Sequence, residues 1–311
     1  IFQYLFTDIY LNTIFKYFSE GERTNILQLL NENSYTGFTN QTAYIAGYLV
    51  SALGVIIFSK RKGKLLDYSI DISMIVFIVI GLFLAAARAH LLFMICAILI
   101  TLLISLDKKF YLKKLNRLIL GSSLISLIIF ITFMKINEDS PIIMFINELK
   151  YTFIGIIQGE DVSTGRIKLY KYSWELFTSN PIFGIGWKEF ISNSVGLLNI
   201  YRGSHPHNIY LQLLTELGIV GFVLFMIPVI YVYLKTFNIL RSMSINNSVK
   251  FLQNWKHGLQ YSFFYQTFFL LYGLTGNLLT DFNFLLMYFF VVSITISAIV
   301  SFKTRCKYQF H

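Results

Sequence analysis

Residues 70–106 read IDISMIVFIVIGLFLAAARAHLLFMICAILITLLISL, which is two apolar runs with a short polar break between them. Ile70–Ala87 and Leu91–Leu106 each approach the roughly 20 residues with which a helix crosses a bilayer. The break, Arg88-Ala89-His90, is short enough for a tight hairpin. The stretch therefore predicts two adjacent crossing helices and an all-α membrane protein.

The composition of the chain agrees with a polytopic membrane protein. Hydrophobic residues make up 55% of the 311 residues and charged residues 14%, whereas soluble domains are about one quarter charged. The net charge of +10 comes from short Lys and Arg blocks between apolar runs, so we expect membrane lipid and no nucleic acid as a partner. The chain opens at Ile1 without a signal-peptide pattern, and we expect further helices to precede it.

Five more apolar runs bring the predicted crossings to seven. They are Thr42–Phe58, Leu118–Met134, His207–Leu234, Leu259–Thr275 and Phe282–Ser301. With seven crossings, the blocks of basic residues all fall on one side, which is typical of cytoplasmic loops. Those residues are Lys60, Arg61, Lys62, Lys64, Lys108, Lys109, Lys113, Lys114, Arg117, Lys235, Arg241, Lys250, Lys256, Lys303, Arg305 and Lys307.

This orientation divides the chain into segments. Residues 1–41 are predicted as extracytoplasmic or interfacial, 42–134 as four transmembrane helices, 135–206 as an extracytoplasmic loop, 207–301 as three transmembrane helices and 302–311 as a cytoplasmic basic tail. A loop of about 70 residues is long for a connector, and such loops are usually functional.

The N-terminal segment has two interpretations. Asp8, Asn12 and Lys16 form a polar stripe at helical spacing on an otherwise aromatic helix. The stripe fits either an interfacial helix or the end of a truncated crossing.

An amphipathic helix is predicted over Ile167–Phe177 in the large loop. Its apolar residues at helical spacing are Ile167, Tyr170, Trp174 and Phe177. The preceding Ser163-Thr164 suits an N-cap. Arg166 then lies at a helix N-terminus, where a bound anion would be favoured; the alternative is an ordinary surface arginine.

Arg88 is the arginine of the predicted hairpin. Ionisable groups at membrane depth are expensive and usually functional, and the alternative is an anchor that snorkels to the outer interface. Ala85, Ala86, Ala87 and Ala89 around it permit close helix approach and leave room for a ligand.

The run His205-Pro206-His207-Asn208 opens the fifth predicted crossing. Pro206 suits a first helical turn, with His207 and Asn208 following in that turn. A histidine whose pKa lies near the working pH suits a general base; metal ligation, which no Cys or nearby carboxylate completes, and a structural role are the alternatives. Asn208, Gln212 and Glu216 share one helix face, which must line a cavity or a partner helix.

Three further polar clusters have simple explanations. Asn277, Asp281 and Asn283 are explained by the capping of two helix ends. Glu138-Asp139 and Glu160-Asp161 could bind a divalent ion, but adjacent residues on a helix do not share a face, and solvated loop is the simpler interpretation.

Several of these motifs follow one another in an order that resembles the signature of the O-antigen ligase and polymerase superfamily. They are STGR at 163–166, SNPIFGIGW at 179–187, HPHNIYLQ at 205–212 and ELGIVG at 216–221. TGFTNQ at 36–41 and the Arg88 hairpin resemble two further family segments. The chain departs from the family at Ala87, where members often have Ser directly before the hairpin arginine.

The resemblance implies a GT-C-like helical bundle that acts as an inverting, metal-independent glycosyltransferase without a cofactor. The implied donor is a polyprenyl-diphosphate-linked glycan on the outer face of the bacterial plasma membrane, where a glycan acceptor receives it. Arg88 and Arg166 would then grip the diphosphate, and His207 would prepare the acceptor hydroxyl, with His205 a lesser candidate. Arginine forks neutralise a diphosphate without metal. A chain-length regulator and a flippase are further implied partners.

Polymerases of this family extend a growing glycan, and ligases transfer a finished one. The abundance of Ile, Lys, Asn, Phe and Tyr is typical of AT-rich genomes, common among bacteria without an outer membrane, and this favours a polymerase for capsule or O-antigen. A transporter or flippase of lipid-linked sugars is the alternative from another class; it needs no catalytic histidine and should show internal repeats, which the sequence lacks. A non-catalytic scaffold would make all the polar clusters dispensable.

Overall fold

The computed structural model describes residues 2–31, 35–36, 42–59, 65–85, 87–104, 147, 150–151, 154–155, 157–158, 165–197, 204–245 and 254–308. This part of the chain contains helices and no strand, which confirms the all-α prediction. It falls into two compact units, Ile1–Leu149 with Leu240–Tyr265, and Lys150–Ile239 with Gln266–His311.

The helices agree closely with the predicted apolar runs. In chain order they are α1 (Phe2–Leu5), α2 (Thr7–Thr13), α3 (Glu20–Asn31), α4 (Thr42–Phe58), α5 (Leu65–Leu84), α6 (Arg88–Ile104), α7 (Arg166–Ser179), α8 (Glu189–Asn193), α9 (Ile209–Ile245), α10 (Lys256–Tyr272) and α11 (Phe282–Tyr308). The predicted crossing Leu118–Met134 lies outside the described residues.

The prediction of one N-terminal helix with a polar stripe is wrong, because no single helix contains Asp8, Asn12 and Lys16. α2 ends at Thr13, and Lys16 lies in a separate 3-10 turn over Phe15–Tyr17. Asp8 and Lys16 therefore do not share a helix.

In the first unit, α4 packs against α5 and α6. Gly54 allows α10 to approach α4, because a Cβ there would lie 2.4 Å from the ring of Phe264. The Ser51 and Tyr261 hydroxyls are 2.6 Å apart at the same contact. Small residues in this position bring two apolar helices close enough for side-chain hydrogen bonding.

The predicted hairpin at Arg88-Ala89-His90 is shifted by one turn. α5 ends at Leu84, and the Leu91 N–H donates to the Ala87 carbonyl at 3.1 Å. Ala87 thus accepts the first bond of α6, which makes Arg88 and His90 members of its first turn. Ala85 and Ala87 lie in the connection before Arg88 and are both buried, and their small side chains fit a close approach of the two helices.

In the second unit, α9 is interrupted where the sequence predicted a continuous crossing. Gly218 has φ 66° and ψ −171°, a conformation that breaks the helical ladder. The freed groups bond to the turn after α7 instead: Ile185 N–H donates to Thr215 O at 2.9 Å, and Ile219 N–H donates to Pro181 O at 2.9 Å. A helix can be interrupted in a buried setting only when such partners replace the lost bonds.

Two glycines make this docking possible. A Cβ on Gly218 would lie 2.2 Å from Ile182 O, and a Cβ on Gly184 would lie 2.5 Å from the Glu216 backbone. The sequence motifs 179–187 and 216–221 therefore meet backbone to backbone.

Two of the described helices are long and apolar enough to cross a membrane, Ile209–Met243 and Phe282–Phe302. Three shorter apolar helices are Ala43–Phe58, Ser69–Leu82 and Arg88–Ile104. α10, predicted as a crossing, is not among them, and most of its side chains are buried. Within the second unit, Thr236 of α9 and Thr295 of α11 are 2.9 Å apart, and Gln266 of α10 donates to Thr236 at 3.1 Å.

Candidate functional site

His207 is held by side chains from two other segments of the second unit. Its backbone is left-handed, with φ 53°, which is uncommon for a residue other than glycine. Its N–H donates to Asn277 Oδ1 at 2.9 Å, and the Tyr170 hydroxyl donates to its carbonyl at 3.2 Å. Residues in such conformations persist where the surroundings fix them and cluster at functional sites.

The imidazole of His207 is also bonded to Asn277. Asn277 Nδ2 and His207 Nδ1 are 3.1 Å apart. Because Asn277 Oδ1 is occupied by the His207 N–H, Nδ2 must face the ring, and an amide nitrogen can only donate. Nδ1 is therefore the acceptor, and the neutral ring carries its proton on Nε2.

Arg166 is close enough to His207 for its charge to act on the imidazole. It is the first residue of α7, one turn before Tyr170, so both reach the same side of the helix. Burial, then the Arg166 guanidinium and His205, lower the pKa of His207 to about 4. The structure thus brings together two of the residues named from the sequence, and His207 is neutral at physiological pH rather than titrating there.

His205 lies near His207 and is also held neutral. Burial, followed by the nearby Lys188, lowers the pKa of His205. Its Nδ1 is buried and has no hydrogen-bond partner among the described residues. The chain just before it is anchored to the end of α8, because the Ser204 N–H donates to Ser194 Oγ at 2.8 Å.

The helix predicted in the large loop is present, but the residues on its buried face differ from those predicted. α7 covers Arg166–Ser179 and contains the predicted Ile167–Phe177. Leu169 and Ser173 are its buried residues, whereas Ile167 and Trp174 are exposed. The small Ser173 lets α9 approach, and Thr215 Oγ1 donates to the Ser173 carbonyl at 3.0 Å.

The start of α7 also differs from the prediction. The N-cap position is Gly165, in a left-handed conformation with φ 83° and no side-chain capping bond. The predicted cap of Ser163-Thr164 lies outside the described part of the chain.

The fifth predicted crossing begins two residues late. α9 starts at Ile209, and Asn208 Oδ1 accepts from the N–H groups of Tyr210 and Leu211 at 2.9 and 3.1 Å. Asn208 is thus the N-cap, and Pro206 lies before the helix instead of in its first turn. An asparagine side chain can satisfy these free N–H groups, which proline cannot.

The polar face of α9 contacts protein groups. Gln212 and Glu216 are both buried, and Gln212 Nε2 donates to Glu216 Oε2 at 3.2 Å. The Glu216 carboxylate also lies beside the backbone N–H groups of Lys188 and Phe190, at the start of α8. Gln212 and Glu216 therefore contact each other, and Glu216 also contacts the start of α8.

Asn277 is the site residue that sequence reasoning missed. It was interpreted as a cap together with Asp281, and only Asp281 behaves so, since its Oδ1 accepts from the Asn283 N–H at 2.9 Å. Asn277 instead makes both hydrogen bonds to His207. The two residues are 70 positions apart, and no periodicity links them.

Arg88 is part of the first unit and is half-buried at the start of α6. Its side chain takes part in further interactions. Glu138-Asp139 and Glu160-Asp161 lie outside the described residues. Within the described ranges, no three or more His, Cys, Asp or Glu side chains converge as a metal site.

Residues 73–226 match the protein family described as O-antigen ligase. The match begins within α5 and includes all of α6 and α7. It also includes the turn after α7, His205 and His207, and it ends in α9 beyond Gly218. No curated protein matches the chain.

Proposed function

The chain is a member of the O-antigen ligase and polymerase superfamily, and from that membership we propose that it is an extracytoplasmic glycosyltransferase. Family membership implies a glycosyl-transferring enzyme in a membrane, with a lipid-linked glycan as substrate. The finer proposal is that it polymerises polyprenyl-diphosphate-linked units into capsule or O-antigen at the bacterial plasma membrane. A ligase reaction is the second candidate within the same family.

The observation that carries the proposal is the position of Arg166 near His207, where the guanidinium charge helps to lower the pKa of the imidazole. A guanidinium donates through a planar fork that matches a diphosphate, and a neutral imidazole beside it can donate or accept a proton. Asn277 and Tyr170 hold the His207 backbone in its left-handed conformation, so the ring is preorganised. From the family resemblance, Arg88 is proposed as the second diphosphate ligand, and Asn208, Gln212 and Glu216 are proposed to line the substrate cavity.

The proposed reaction is a single displacement at the anomeric carbon. Its bond to the diphosphate oxygen breaks, and the electron pair leaves with the polyprenyl diphosphate. The acceptor hydroxyl oxygen forms the new glycosidic bond from the opposite face, which inverts the configuration. The hydroxyl proton passes to a ring nitrogen of His205 or His207 and then to solvent. Arg88 and Arg166 neutralise the charge that develops on the leaving group.

The exposure of α9 supports a loop that rests at the membrane boundary. Residues before Gly218, such as Leu213 and Thr215, are buried, whereas α9 exposes apolar side chains from Ile219 onward. The stretch from there to Met243 is about 37 Å long at 1.5 Å per residue, enough to cross the bilayer. In the turn after α7, which packs against Gly218, the side chain of Phe183 is 75% exposed.

The proposed orientation predicts the sidedness of four positions. Reporter domains fused after Lys64, Lys114 and Arg241 are expected to be cytoplasmic, and one near Glu160 is expected to be external, because the basic loops are retained inside. The measurement is the ratio of a reporter active only outside the cell to one active only inside. A cytoplasmic reporter at Glu160 would contradict the proposal, since donor and acceptor both lie outside.

Metal independence is a further proposal, motivated by the two arginines assigned to the diphosphate. Purified protein is expected to keep its transfer rate in excess chelator, because guanidinium groups supply the positive charge. The control is the same assay after readdition of Mg²⁺ or Mn²⁺. Loss of activity with recovery on readdition would assign the charge to a hard cation on carboxylates such as Glu160 and Asp161.

A further inference from the structure

We propose that Asn277 is a positioning residue that keeps His207 as a hydrogen-bond donor at Nε2, directed to the diphosphate, and leaves proton acceptance to His205. The inference rests on the proposed function and deepens it. Its structural part, the position of the ring proton, can be tested without substrate.

The hydrogen bonds leave one arrangement of the Asn277 amide. The His207 backbone N–H can only donate, and it faces Oδ1 at 2.9 Å. If the amide were turned around, its NH₂ group would face that N–H, and two donors would oppose each other. Nδ2 therefore faces the ring at 3.1 Å, and Nδ1 accepts.

A ring held in this way cannot take a proton at Nε2 while it is neutral, because Nε2 already carries one. To act as a general base at Nε2, His207 would first have to move its proton to Nδ1. The Nδ1–H would then face the Nδ2–H of Asn277, and two donors would oppose each other. An unsatisfied pair of donors in a buried site is costly. The role of general base, expected from the sequence, thus fits His207 less well than the role of donor.

The neighbours of His207 favour an anionic ligand for the Nε2–H donor. The charged and titratable groups around it are Arg166 and Tyr170 of α7 and His205 of the preceding segment, and Lys188 lies beside His205. We assign Arg166 and the Nε2–H donor to one ligand that can only accept, and diphosphate oxygens are such a group.

His205 is the other histidine of this segment, and its ring can receive the proton of the acceptor hydroxyl. It is held neutral by burial and by Lys188. No described residue bonds its Nδ1, so its tautomer is not fixed in the way that Asn277 fixes His207. In the balanced reaction, the hydroxyl proton therefore goes to His205 while His207 donates to the departing diphosphate.

The direct test is ¹⁵N NMR of the full chain with labelled histidine in lipid nanodiscs. The His207 signals are assigned by their loss in His207→Asn, a residue that tolerates the left-handed backbone. We expect Nε2 to carry the proton and Nδ1 to show the shift of a bare, hydrogen-bonded nitrogen near neutral pH. A proton on Nδ1 would overturn the inference.

Asn277→Asp provides a second, kinetic test. A carboxylate can accept from both the His207 N–H and Nδ1–H, so it reverses the tautomer and raises the pKa of His207. At pH above that pKa, the variant is expected to transfer glycan about 10²–10³-fold more slowly than the wild type, the usual loss for one preorganised donor. The ratio of variant to wild-type rate should rise toward one as the pH falls, because the imidazolium donates from both nitrogens.

The opposite profile would identify a general base. In that case Asn277→Asp would match or exceed the wild-type rate at high pH, and the ratio would fall with acid. If the variant does not fold, the NMR of the wild type decides alone. A chain that shows Nε2–H but transfers no glycan would refute the proposed function and leave the tautomer assignment intact.

Discussion

Replacement of His207 by Asn is expected to lower the single-turnover rate of glycan transfer by about 10²–10³-fold, the loss typical of removing one preorganised donor. Affinity for a polyprenyl-diphosphate donor should change little, because the donated bond strengthens as charge develops on the leaving group. Asn is the better replacement since it tolerates the left-handed backbone at φ 53°. His207→Ala adds backbone strain to the loss of the ring, and the difference between the two variants measures that strain.

The arginines provide the contrast to His207. Arg166→Ala and Arg88→Ala should weaken donor binding, and Arg→Lys should restore only part of it, because lysine keeps the charge but not the planar fork. His257→Asn, a change of a histidine in the first unit, should retain the wild-type rate and serves as the control. A transporter would give the reverse pattern, with His207→Asn harmless and the arginine variants blocking movement of lipid-linked sugar.

Gly218→Ala is expected to open the docking between α9 and the turn after α7. The backbone at φ 66° and ψ −171° is nearly restricted to glycine and alone costs another residue about 1–3 kcal/mol. The added Cβ would also lie 2.2 Å from the Ile182 carbonyl oxygen, a rigid backbone atom. Strain and clash together should abolish the four backbone bonds of the docking.

Hydrogen exchange measures this opening directly. The N–H groups of Ile185, Gly186, Ile219 and Val220 bond across the docking, so they should lose protection in Gly218→Ala. Gly184→Ala should expose the same four, since its Cβ meets the Glu216 backbone. Gly21→Ala is the control, because a Cβ there meets nothing within 4 Å. Unchanged protection in Gly218→Ala would mean that the helix does not break there.

Local patterns determined much of the fold. Apolar runs of crossing length predicted the starts of α4, α6 and α9 to within three residues, because burial and backbone satisfaction in lipid favour helices wherever side chains are apolar. The prediction was less accurate for the end of α9, which continues from the predicted Leu234 to Ile245. The same local reasoning predicted α7 and the cap at Asp281. The order of the motifs gave the family, which the match over 73–226 supports.

The tertiary structure alone decided the break at Gly218, the inner face of α7 and the partner of Asn277. Each depends on a contact between residues far apart in the chain: Ile182 with Gly218, Ser173 with Thr215, and Asn277 with His207. A glycine in an apolar helix and an asparagine near a helix end look ordinary in sequence, because spacing reports which residues share a face and not what that face meets. The tautomer of His207 follows from one such contact, since only the folded chain brings a backbone N–H and a ring nitrogen to the same amide.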